Sequence, residues 1–86
     1  MFWTPENLEH AAAMRWCRRL WAPCTKEEQW SLECTMYRLR GRGMRGRDIA
    51  HHITEVLEAL RPWRMSDAKL ARALVRSFAL LAKRGA

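Results

Sequence analysis

The segment Thr25-Lys26-Glu27-Glu28-Gln29-Trp30-Ser31-Leu32-Glu33-Cys34-Thr35-Met36-Tyr37-Arg38-Leu39-Arg40-Gly41 decides the fold class. Its first four residues spell a capping box: the Thr25 hydroxyl can accept the N–H of Glu28, and the Glu28 carboxylate can reach back to the N–H of Thr25. The helix so started runs to about Arg40, where Gly41 can supply the positive φ of a C-terminal cap. Its apolar residues fall into two groups, Trp30, Cys34 and Tyr37 on one side and Leu32, Met36 and Leu39 roughly opposite. A helix apolar on two faces is either central in its own fold or shared with another chain, so one expectation is a homodimer seam through the second face of helix 26–40.

The flanking segments carry the same kind of signal. Upstream, Thr4 is placed to cap a helix with Pro5 in its first position and Glu6 in its first turn, and Trp3 and Leu8 are spaced as a hydrophobic staple. That helix spans about 5–21 and ends before Pro23; Ala13, Trp16, Cys17, Leu20 and Trp21 gather on one side and Arg15, Arg18 and Arg19 on the other. Downstream, Asp48 can cap a third helix over 49–61, stopped by Pro62. Ile49, Ile53, Val56, Leu57 and Leu60 form its buried stripe, and His51, Glu55 and Glu58 lie on its wet side. Ser66 caps a fourth helix over 67–84, with Met65 and Leu70 as a second staple and Gly85 as a stop. Leu70, Ala71, Leu74, Phe78 and Leu81 make its buried face. Lys69, Arg72, Arg76 and Lys83 form a basic ridge opposite. The expected fold is all-α: one domain over 1–86, a compact bundle of four helices joined by short loops.

Composition agrees. Eighty-six residues suit one small domain, and 49% apolar with 29% charged residues is a globular mixture. The longest apolar runs fall far short of the roughly 20 residues that cross a bilayer, so no membrane association is expected. The start Met1-Phe2-Trp3-Thr4-Pro5-Glu6 has no secretory pattern, which points to the cytoplasm of a bacterium or its host. Cys17, Cys24 and Cys34 are an odd set expected to stay reduced, with Cys17 and Cys34 read as core. Their spacing and that of His51 and His52 lack the pairing of zinc ligands, so neither metal nor cofactor is expected.

The outstanding feature is charge: sixteen Lys and Arg against nine Asp and Glu, a net +7. Thirteen of the sixteen cations are Arg, whose forked guanidinium binds carboxylates and phosphates bidentately. Arg38, Arg40, Arg42, Arg45 and Arg47 crowd a stretch without acids and with glycines at 41, 43 and 46, read as a mobile loop able to clamp an anionic target. The alternative reading is a solvated loop. Trp63, between Arg61 and Arg64, either anchors a partner or caps the end of the bundle. Partner-binding residues are thus Arg38, Arg40, Arg42, Arg45, Arg47, Trp63, Arg64, Lys69, Arg72, Arg76 and Lys83.

From Thr25 through Arg47-Asp48-Ile49-Ala50-His51-His52-Ile53, the chain resembles the first two helices of a helix-turn-helix or SANT-like module, with its R-x-I-A-x-x-I element. The resemblance implies DNA binding, but it stops where a turn and a recognition helix should follow. Thr54 to Leu60 instead continues one apolar period, exposing Glu55 and Glu58. No catalytic motif accompanies His10, His51 or His52, so no enzyme is expected. The leading expectation is a non-enzymatic protein that regulates or inhibits a larger complex by docking arginine-rich surfaces on acidic protein surface. In kind, this resembles small phage or mobile-element inhibitors of host machinery, anti-CRISPR proteins among them. The alternative is a nucleic-acid binder acting through phosphate contacts.

Overall fold

The computed structural model describes residues 4–84. It is an all-α bundle of four helices: α1 (Pro5–Leu20), α2 (Lys26–Gly41), α3 (Gly46–Leu60) and α4 (Asp67–Arg84), with a 3-10 turn at Arg61–Trp63 before α4. The N-caps expected of α1, α2 and α4 are formed. Thr4 Oγ1 accepts the Asn7 N–H at 3.2 Å. In the capping box, Glu28 Oε1 accepts the Thr25 N–H at 2.9 Å and Thr25 Oγ1 accepts the Glu28 N–H at 3.2 Å. Ser66 Oγ accepts the Lys69 N–H at 3.3 Å. The expected staple of Trp3 with Leu8, and the stop at Gly85, lie outside the described residues.

The stretch read as a mobile arginine loop is ordered by two glycines. Gly41 remains helical, and it is Gly43, at φ +97°, that ends α2. The Gly43 N–H donates to Arg40 O at 3.0 Å and the Met44 N–H to Leu39 O at 3.1 Å, the two bonds of a Schellman motif. Met44 then packs against the core. Next, α3 begins at Gly46 rather than Ile49. Asp48 is therefore the third helical residue, and its Oδ2 accepts the N–H of Arg45, which precedes the helix, at 2.9 Å. Gly46 is buried against α1, where a Cβ would lie 2.5 Å from the carbonyl oxygen of Glu9. Only glycine allows this approach.

The close backbone packing joins α1 to α3 and α2 to α4, so each helix meets its main neighbour two elements along the chain. Gly46 and Ala50 of α3 face Ala12 and Ala13 of α1, and these small residues let the two backbones meet. The core holds Met14, Cys17 and Trp21 of the first helix and its cap, Leu32, Met36 and Leu39 of α2, Ile49 and Ile53 of α3, and Ala71, Leu74 and Phe78 of α4. Fully burying such apolar side chains stabilises by about 1.5–3 kcal/mol each. His52 is half-buried: its Nε2 lies 2.9 Å from Ser77 Oγ, and its ring tilts against Phe78 at 4.8 Å. Among the described residues, no helix is long and apolar enough to cross a membrane.

Two expectations need correction. Cys34 is exposed, unlike Cys17, because it lies on the far side of α2 from Leu32, Met36 and Leu39. For the same reason α2 is not central. Trp30 is 72% exposed and Tyr37 66%, so the second apolar face is uncovered.

Candidate functional site

α1 packs closely on α3 and α2 on α4, and a groove of about 670 Å³ lies between α1 and α2. Side chains bridge it at both ends. Arg18 forks onto Glu33, Nε to Oε1 at 2.7 Å and Nη2 to Oε2 at 3.1 Å. At the other end the Arg40 guanidinium donates to Asn7 Oδ1. Between the bridges lie His10, Met14, Arg15, Met36 and Tyr37. A second concavity, formed by Ala12, Arg15, Arg18 and Arg19, continues the positive surface along α1.

His10 is the unusual member. It is 9% exposed, and its Nδ1 is buried without a hydrogen-bond partner among the described residues. Leaving such an atom unpaired costs about 1–3 kcal/mol, so the position carries an unmet demand for a donor or acceptor. Burial lowers the His10 pKa, and the charges of Arg40 and then Arg18 lower it further. Burial first, and then these two cations, disfavour the charged imidazolium. A carboxylate placed in the cleft meets Arg15, Arg18 and Arg40, with Glu33 the acid already among the lining residues.

The arginine-rich stretch divides among several tasks. Arg40 bridges the groove. The Arg42 guanidinium donates to the carbonyl of Ala82 near the end of α4. Arg45 Nη2 lies 3.7 Å from Glu6 and 3.6 Å from Glu9. Glu9 Oε1 also accepts the backbone N–H of Arg47 at 2.5 Å and its Nε at 3.3 Å. Acids that the local sequence lacked therefore arrive from α1, and these arginines tie α1, α3 and α4 to the α2–α3 turn. Arg38 stays exposed and makes no ion pair among the described residues.

The remaining expected residues all reach the surface. Trp63 is 73% exposed and does not cap the bundle. Arg64 turns the chain into α4 with φ 47°, the left-handed region that a non-glycine residue rarely adopts. Lys69, Arg72, Arg76 and Lys83 form an exposed ridge without ion pairs among the described residues. That ridge borders α2. Glu28 is held below its usual pKa first by its hydrogen bonds to Thr25, and the charge of Arg72 adds to the effect. On the projection of α2, the groove and the ridge lie on opposite flanks of the outer face.

His10 and Asn7 were not expected at a site, Tyr37 only at a seam with another chain, and Arg15 and Arg18 only as outward-facing residues able to extend the positive surface of the fourth helix. One sequence signal pointed at His10: with Met14 and Cys17 it sits at i, i+4, i+7 on the buried stripe of α1. No family model matches the chain, and neither do the curated proteins or the solved structures.

Proposed function

We propose that this protein is a non-enzymatic docking protein that regulates or inhibits a larger macromolecule by seating an acidic segment of it in the groove between α1 and α2. One observation carries the reading: Arg15, Arg18 and Arg40 line one open cleft together with the imidazole of His10. Arg15 and Arg40 supply charge, Tyr37 an amphipathic rim, and Met14 and Met36 an apolar floor. Arg18 is held by Glu33, which keeps it in place for a second acceptor.

The ridge on α4 supports a second reading, nucleic-acid binding through phosphates, because its cations are exposed and unpaired. The two are separable by experiment. Fluorescence anisotropy with a labelled Asp/Glu-rich peptide and with a generic DNA duplex, over a salt series, gives both affinities. Docking through the groove predicts peptide binding that the double variant R15A/R40A weakens at least about tenfold, with K69A/R72A/R76A close to wild type. A steep salt slope for DNA, abolished by the ridge variant, selects the second reading instead. No peptide binding at low salt removes the first.

A further inference from the structure

The outer face of α2 adjoins the groove, sharing Tyr37 with it, and is otherwise uncovered. Its residues are Glu27, Trp30, Ser31, Cys34, Tyr37, Arg38 and Gly41, all exposed. They recur at spacings of three and four, the pattern of a helix that packs along its length on another helix. They are also symmetric about Cys34. Reversing the helix about that residue brings Trp30 opposite Arg38 and Ser31 opposite Tyr37. It brings Glu27 opposite Gly41, one turn from Arg38. The charges follow the same order, with Glu27 and Glu28 in the first turn and Arg38 and Arg40 in the last. Two copies laid antiparallel therefore match acid to base at both ends, place an arginine over an indole twice, and oppose their helix dipoles favourably.

We infer that α2 forms an isologous antiparallel seam with a second copy of this chain, with Cys34 at the two-fold axis. Self-complementarity of this kind is what a two-fold interface requires, since each residue must be matched by the same surface turned around. A seam of 16 residues buries on the order of 1,000 Å² in total, at the low end for specific association, so the dimer is reversible and concentration-dependent. The seam meets the groove at Tyr37 and leaves its α1 side open, and the charge-exchange test below is read without any groove ligand.

The test uses charge exchange. In E27R two arginines face each other at each end of the seam, and in R38E two glutamates do. Mixing the two variants restores an opposite pair at both ends of the heterodimer. Sedimentation and light scattering over a wide concentration range, with cross-linking by a short bismaleimide, read the outcome. Expected are dimerisation of wild type, a loss of at least about tenfold in each single variant, and recovery in the mixture, with cross-linked product only where Cys34 is present. Circular dichroism confirms that each variant is folded. Monomeric wild type at every concentration overturns the inference, as does a mixture no better than its components.

Discussion

Replacing Gly46 with alanine separates two opposing effects whose sizes the structure distinguishes. Alanine is favoured over glycine within a helix by about 1 kcal/mol, and it also narrows the unfolded ensemble. At Gly46 the added methyl meets backbone: 2.5 Å to Glu9 O, 2.6 Å to Glu9 C and 2.7 Å to His10 N. No side-chain rotation relieves that. α1 must shift from α3 across their closest contact, disturbing Ala13 and Ile49 beneath it, and overpacking of this kind costs typically 1–3 kcal/mol, occasionally more. Because three backbone atoms are involved, we place the cost at or above the top of that range, for a net loss of about 2 kcal/mol. In a domain of this size that lowers Tm by about 8–16 °C. Gly41 is the control, since it is helical and a methyl group added there would meet nothing within 4 Å. G41A should raise Tm by a few degrees. Thermal and urea unfolding followed by circular dichroism measure both. If G46A is as stable as wild type, the close crossing of α1 and α3 is not what holds the two helices together.

Further outcomes follow from caps, titration and thiols. T25A removes the hydroxyl half of the capping box and should cost about 1 kcal/mol, read as a lower urea midpoint. His10 and His52 both have lowered pKa values, with burial the first cause in each. The unfolded chain therefore takes up protons first, and the stability these residues contribute is complete above about pH 6.5 and falls on acidification below it. A urea midpoint unchanged from about pH 7.5 to about pH 5.5 contradicts this, and H10Q should reduce the slope. Burial first, then Glu33, pushes the Cys17 thiol up to about 12, and burial also raises Cys24. At concentrations where the chain is monomeric, a thiol reagent should modify Cys34 at once in the native state, and the other two only on unfolding. Rapid labelling of more than one thiol would show that the core around Trp21 is open.

What the sequence determined by itself is local. Capping residues, prolines and apolar periodicity act within one or two turns, and they defined four helices with the right buried faces on α3 and α4. They could not say which face of α2 is covered, because Leu32 and Trp30 are equally apolar and only packing against α4 chooses between them. Nor could they show that the glycine-rich arginine stretch is ordered, since the acids that hold Arg45 and Arg47 come from α1, 38 residues away from Arg47 in the case of Glu9. Of the groove, only the position of His10 and Met14 on the buried stripe of α1 was legible. The groove lies between the packed pairs α1–α3 and α2–α4, and that pairing is expressed only by the assembled helices.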